Sequence, residues 1–174
     1  MPLPASSLEL WDVIADEAAA ESPLWGEALL PSAERELEAV FSPLLAQPRY
    51  AVGLETIYEG YLLHYGRPRL FAAEDGHTSL LLGDYLYAHG LVRVAAENDV
   101  EAVADLAALI SLCSQLRADG ASGDGEVWAA TAALLGRGPL SGDREVPALA
   151  DVAREAAGAD ALERALALHA GRVS

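Results

Sequence analysis

Apolar residues along the chain recur at intervals of three and four, and no segment alternates with a period of two. This spacing predicts helices and no strands. Proline and glycine separate the periodic segments, as in the run Gly66-Arg67-Pro68. The predicted helices cover 6–21, 32–46, 49–65, 76–97, 99–118, 124–136, 145–157 and 159–171. We therefore expect a single all-α domain over residues 1–174, folded as an antiparallel helical bundle.

Two of the helix starts have the spacing of a capping box, in which a polar side chain and a carboxylate satisfy the first backbone amides of a helix. These pairs are Ser6 with Glu9 and Asn98 with Glu101. Both precede a segment of helical character, so we expect Ser6 and Asn98 to be N-caps.

Two helices, 76–97 and 99–118, carry apolar residues on more than one face, which predicts that they are buried on more than one side. We expect them to lie at the centre of the bundle. In the second helix, one apolar stripe contains Leu106, Leu109, Cys113 and Leu116, and the other contains Val103, Ala107 and Ile110.

The composition narrows the range of functions. Of 174 residues, 52% are hydrophobic, and the formal net charge is −16. All 11 basic residues are arginine, which excludes a P-loop, a pyridoxal-phosphate Schiff base and a lysine general base. The acidic balance argues against nucleic acid as a partner, because cationic side chains supply most of the affinity for phosphates.

The chain has one cysteine and no targeting signal that we recognise. Cys113 allows no internal disulfide and is expected to be a small buried hydrophobic residue. It lies in the longest uncharged run, 106–116, which is too short for a membrane span of about 20 residues. The segment Met1–Pro4 has no basic character, so we expect no signal peptide and a cytoplasmic location.

All six tyrosines lie between residues 50 and 87, and most belong to the predicted helix 49–65. There are two interpretations of this cluster. The rings could pack in the core with their hydroxyls hydrogen-bonded, or they could line a cavity for a small molecule between helices. One face of the helix contains Glu55, Tyr58, Leu62 and Tyr65, and an adjoining stripe contains Ile57, Tyr61 and His64.

Metal and cofactor sites are not expected. The spacings of His77, Asp84 and His89 place them two turns apart or on different faces, which does not suit a metal site. The loop 119–125 has the composition of a calcium loop but lacks its regular carboxylates and closing glutamate, so we expect a flexible connector. No nucleophile motif or catalytic triad can be assigned, and hence no catalytic residue.

A sequence of specific residues gives the chain a resemblance to a known family. The order Glu55-x-x-Tyr58-x-x-Tyr61-Leu62-x-His64 continues through Gly66-x-Pro68 to Leu82-Gly83-Asp84-Tyr85-Leu86. Over about residues 49–118, this resembles the first half of the polyprenyl synthetase (trans-isoprenyl diphosphate synthase) family. The resemblance implies a shortened version of the isoprenoid synthase fold.

The chain departs from the family pattern where the chemistry resides. The first aspartate-rich motif would begin at Tyr65 and Gly66, and neither this motif nor the paired arginines are present. The second aspartate-rich motif and the diphosphate-binding lysine are also absent from the sequence. In the family, such carboxylates hold the Mg²⁺ ions that grip an allylic diphosphate, so the resemblance implies loss of that chemistry.

We therefore expect a non-catalytic relative of the family, acting as a small or regulatory subunit of a prenyl synthase. It would form a homodimer, or a heterodimer with the catalytic chain, through exposed apolar helix faces. The alternative is a helical module that binds a prenyl group or another apolar ligand. A third hypothesis is an enzyme that uses His64, Glu55, Glu59 or Asp84. The candidate cavity-lining residues are Glu55, Tyr58, Tyr61, Leu62, His64, Tyr65 and Asp84, and we expect Asp84 to be partly buried and hydrogen-bonded.

Overall fold

Within residues 7–142 and 144–173, which the computed structural model describes, the chain forms eight α-helices and no strand. The all-α prediction is confirmed. Two short 3₁₀ turns span Ser32–Glu34 and Pro48–Tyr50. The helices are α1 (Ser7–Glu21), α2 (Pro23–Glu27), α3 (Ala51–Tyr65), α4 (Gly76–Ala95), α5 (Val100–Ala118), α6 (Asp124–Ala133), α7 (Val146–Ala157) and α8 (Ala159–Val173).

The predicted helix 32–46 is wrong. This segment contains one 3₁₀ turn, followed by extended chain and turns. Several of its backbone groups bond to other parts of the chain. The Glu36 amide donates to the Arg69 carbonyl oxygen, the Ser42 amide to the Glu55 carboxylate, and the Glu38 carbonyl oxygen accepts from Arg69. Tertiary contacts have replaced the local ladder that a helix requires.

One helix start also differs from the prediction. The N-cap of α5 is Asp99, whose side chain accepts a hydrogen bond from the Ala102 amide at 2.9 Å. Asn98 precedes it with a φ of 57°. Asparagine tolerates this left-handed conformation better than most residues, so Asn98 makes the turn and Asp99 makes the cap. Ser6 lies outside the described residues.

Helix α3 is the central element, because every residue from 53 to 63 is buried. The expectation that 76–97 and 99–118 are the central helices is therefore wrong. Helix α4 buries one face and leaves Leu80, Leu81 and Val92 exposed. Helix α5 buries the stripe that contains Leu106 but exposes Ala107 on the other stripe.

Glycines explain how α3 can be enclosed so completely. Helices α3 and α4 run antiparallel, and Gly53 and Gly60 of α3 face Gly90 and Gly83 of α4. A Cβ atom on Gly60 would lie 2.8 Å from the Gly83 carbonyl oxygen, and one on Gly90 would lie 2.9 Å from the Gly53 carbonyl oxygen. The two backbones are in direct contact at these points, so larger residues do not fit there.

The hydrophobic core has two parts, and α3 contributes to both. One part packs α3 against α5, α6, α7 and α8, and it includes Cys113, which is buried and free as predicted. Burial raises the pKa of the Cys113 thiol. The other part packs α3 and α4 against α1 through Trp11 and Ile14. In the described part of the chain, no helix is long and apolar enough to cross a membrane.

Candidate functional site

Two carboxylates of α3 and one guanidinium group form a fully buried cluster, which we call the glutamate–arginine cluster (Glu55, Glu59 and Arg69). Glu55 and Glu59 are one helical turn apart, and Arg69 follows in the loop before α4. All three residues have no solvent-exposed surface. Arg69 Nη1 donates to Glu55 Oε2 at 2.5 Å, and Arg69 Nε donates to Glu59 Oε2 at 2.9 Å.

The remaining oxygens of the cluster are also bonded. Glu55 Oε1 accepts from the Ser42 amide at 3.1 Å, and Glu59 Oε1 accepts from the Arg69 and Leu70 amides at 2.8 and 2.7 Å. Burial by itself would lower the pKa of the Arg69 guanidinium, but the two carboxylates raise it above its ordinary value. Each group has a partner within the chain, so the cluster fastens the loops around α3 and presents no free ligand atom.

A second buried network, the tyrosine–aspartate chain, links α3 to α5, α6 and α8. It consists of Tyr58, His169, Asp124, Tyr61 and Arg117. Tyr58 Oη lies 2.9 Å from His169 Nδ1, and His169 Nε2 lies 3.1 Å from Asp124 Oδ2. The Tyr61 hydroxyl donates to the same aspartate oxygen. Arg117 Nε donates to Tyr61 Oη at 2.9 Å, and its Nη2 donates to Asp124 Oδ2 at 2.6 Å.

The protonation states of this network follow from its contacts. Burial opposes ionisation of Asp124, but hydrogen bonds from His169 and Tyr61, together with Arg117, hold its pKa well below the usual range. Burial is the main reason that the pKa of Tyr61 is raised, and its hydrogen bond to Asp124 adds to the effect. Burial likewise raises the pKa of Tyr58. Both phenols therefore remain protonated at neutral pH and act as hydrogen-bond donors or acceptors, not as bases.

The space around these tyrosines is filled by other rings. The Tyr58 and Trp128 ring centroids are 4.9 Å apart, and the rings are nearly perpendicular. The Phe41 ring stacks on Trp128 with the ring centroids 5.5 Å apart. It is perpendicular to the Tyr58 ring, with the centroids 5.2 Å apart. Tyr61 stacks on Tyr58 at 6.0 Å. This is close aromatic packing, the first of the two interpretations of the tyrosine cluster.

The structure separates the candidate cavity-lining residues into three groups. Glu55, Tyr58, Tyr61 and Leu62 lie in the interior and are at most 1% exposed. His64 and Tyr65 line a surface groove between the ends of α3 and α8. Asp84 stands on the outer side of α4.

The expectation that Asp84 is partly buried is wrong. Its side chain is 65% exposed, and it lies 3.2 Å from His64 Nε2. Leu81 and Ala88, which lie about one helical turn from it on α4, are themselves exposed. The pattern of α4 is apolar on most sides, so the sequence did not show which side faces the core.

Three members of the tyrosine–aspartate chain come from regions to which the sequence assigned no site. Arg117 ends α5, Asp124 begins α6, and His169 lies near the end of α8. Asp124 falls in the loop that was compared with a calcium loop, but it is buried and binds side chains. No group of three or more metal-ligating side chains is found among the described residues. The sequence contained one signal for the glutamate–arginine cluster. Glu55 and Glu59 are charged residues in an otherwise apolar helix, and buried carboxylates require a cation.

The comparisons with known proteins return nothing. No protein-family model matches the chain, and no curated protein and no solved structure matches it.

Proposed function

We propose that the chain is a non-catalytic relative of the polyprenyl synthetases that acts by pairing with a prenyl synthase, and with a second copy of itself when no such partner is present. The family part of this proposal rests on the residues from Glu55 to Leu86 that resemble the family. The pairing part rests on the surface formed by α4 and α5.

The packed interior supports the non-catalytic part. In the family, the side chains of this region face a cavity that holds metal ions and a diphosphate. Here the side chains of the corresponding helix are already hydrogen-bonded to residues of other elements: Glu55 to Arg69, Tyr58 to His169, and Tyr61 to Asp124. Aromatic rings occupy the space beside them. A substrate would have to displace these contacts.

The observation that carries the pairing proposal is a segment of α4 and a segment of α5 with few charged side chains in a very acidic chain, bordered by the exposed carboxylates of Asp84 and Glu101. Between residues 85 and 96 the one carboxylate or guanidinium group is that of Arg93, and between 102 and 116 it is that of Asp105. Neither faces outward: Arg93 is paired with Glu17 of α1, and Asp105 is buried. The outward side shows Val92 and Val100, which are 64% and 79% exposed, together with small residues of both helices. We call this surface the α4–α5 face.

Charge and size both suit a protein partner at this face. With a net charge of −16, two copies repel each other, and the repulsion is smallest where an uncharged surface is in contact. A less acidic synthase would meet less repulsion still. Two helices of this length, about 30 Å long and about 10 Å apart, cover roughly 600 Å², which approaches the 800 Å² that each partner buries in a standard interface.

Analytical ultracentrifugation of the protein alone tests the surface. We expect a monomer–dimer equilibrium that Val92→Glu shifts toward monomer by at least about tenfold in Kd. Leu37→Glu is the matched control, because it places the same carboxylate at an exposed leucine outside the α4–α5 face. Equal self-association of the two variants would contradict the assignment of this face.

A further inference from the structure

A groove between the ends of α3 and α8 brings two guanidinium groups and a histidine together. It has a volume of about 380 Å³, and its lining includes His64, Arg67 and Arg172. Gly66 is the point of closest approach, because a Cβ atom there would lie 2.7 Å from the Arg172 carbonyl oxygen. We call it the arginine groove.

One of its two guanidinium groups has a donor atom without a hydrogen-bond partner among the described residues. The Arg172 side chain is only 4% exposed; its Nη2 lies 3.0 Å from Glu36 Oε2, while its buried Nη1 has no hydrogen bond among the described residues. His64 Nε2 already has an acidic neighbour, because it lies 3.2 Å from Asp84 Oδ1. Buried donors are nearly always bonded in folded proteins, since an unmade bond costs about 1–3 kcal/mol.

A half-exposed acid bridges the two arginines. Glu36 lies between them, with Oε1 2.5 Å from Arg67 Nη1 and Oε2 3.0 Å from Arg172 Nη2. Its side chain is 46% exposed and lies outside any helix, so a carboxylate displaced from the arginines is already in contact with solvent. The C-terminal ends of α3 and α8 carry a partial negative charge, which favours arginine side chains here. This charge does not explain why Arg172 Nη1 has no hydrogen-bond partner.

We propose that the arginine groove binds a phosphate group, which displaces Glu36 and accepts hydrogen bonds from Arg67 and from Arg172. A phosphate offers more acceptor oxygens than the carboxylate it replaces, and guanidinium groups match its geometry. Phosphate binding in the arginine groove does not depend on pairing through the α4–α5 face, because the two proposals use different residues.

Isothermal titration of the full chain with inorganic phosphate, at constant ionic strength, tests the proposal. We expect Glu36→Gln to bind phosphate about tenfold more tightly than the parent protein, because the competing charge is removed. Arg67→Gln should bind at least about tenfold more weakly. Both residues are exposed, so the variants keep the fold, and circular dichroism verifies this.

The matched control is Arg154→Gln, which removes an exposed arginine paired with Asp151 on α7 and should leave phosphate affinity unchanged. A parallel titration with glycerol 3-phosphate distinguishes the source of the group. Equal affinity means that the groove holds the phosphate alone, and tighter binding means that it also holds what the phosphate carries. Absence of saturable binding by Glu36→Gln up to about 10 mM, or an unchanged affinity in Arg67→Gln, overturns the proposal.

Discussion

Gly60 of α3 faces Gly83 of α4 so closely that a Cβ atom on Gly60 would lie 2.8 Å from the Gly83 carbonyl oxygen. A second glycine pair, Gly53 and Gly90, repeats the contact two turns away. These pairs set the separation and register of the two helices. They also bring the α3 backbone close enough for the rest of the bundle to enclose it.

The substitution Gly60→Ala should destabilise the protein by about 1–3 kcal/mol, because the added methyl group forces the helices apart. Urea denaturation measures the effect. Gly171→Ala is the control: it lies in α8 with nothing within 4 Å of the added carbon, so it should be neutral or stabilising by up to about 1 kcal/mol. Equal effects of the two substitutions would disprove the close contact.

The substitution Arg69→Met should cost about 3–5 kcal/mol, because it leaves Glu55 and Glu59 buried without a counter-charge. The methionine retains much of the volume that packs against Trp11, so the loss reflects charge more than size. Arg154→Met, at an exposed ion pair, should change stability by less than about 0.5 kcal/mol. Denaturation midpoints that fall equally in both variants would argue against a buried cluster.

Asp124 should make stability depend on pH in the acid range. Its pKa in the folded protein lies below the value of about 4 expected for an unfolded chain. Its contribution is therefore complete above pH 4 and is lost as the pH falls through the folded pKa. Asp124→Asn should cost about 1–3 kcal/mol at pH 7, and its difference from the parent should shrink below about pH 4. Asp119→Asn, at the exposed residue that follows α5, should show no such convergence in urea denaturation across this range.

Prenyl transfer should be absent. The chain lacks the aspartate-rich motifs and lysines of the family, and its tyrosines fill the interior. Incubation with Mg²⁺, an allylic diphosphate and isopentenyl diphosphate should therefore yield no elongated product above a boiled control. Chromatography of the extracted lipids measures this, and elongated product in the native sample alone would refute the non-catalytic assignment.

Local signals predicted most of the helices but not their arrangement. Seven of the predicted helices agree with α1 and α3–α8 to within three residues, because apolar spacing and glycine or proline stops act locally. Segment 32–46 was mispredicted because Arg69, more than twenty residues away, bonds the Glu36 amide and the Glu38 carbonyl oxygen. The central position of α3 was missed because its enclosure depends on glycines of a different helix, α4.

The candidate site was predictable only in part. The helix 49–65 correctly places Glu55, Tyr58 and Tyr61 together, but their partners lie outside this helix. Arg69 follows in the next loop, and His169 and Asp124 are 111 and 63 positions away from Tyr58 and Tyr61. No spacing rule relates residues that are more than sixty or a hundred positions apart. Asp84 shows a different limit: the residues beside it in α4 are mostly apolar, but its exposure depends on how α4 is turned against α3.

Pairing with a prenyl synthase is the central claim, and sedimentation velocity of a mixture tests it most directly. A fluorescently labelled sample of this protein is mixed with an active synthase from the same cell, with Val92→Glu and Leu37→Glu as labelled comparisons. We predict a faster-sedimenting 1:1 complex for the parent and for Leu37→Glu, a loss of this complex for Val92→Glu, and a changed product length from the synthase. Labelled protein that sediments as a monomer at every concentration, with the synthase's products unchanged, would contradict the claim.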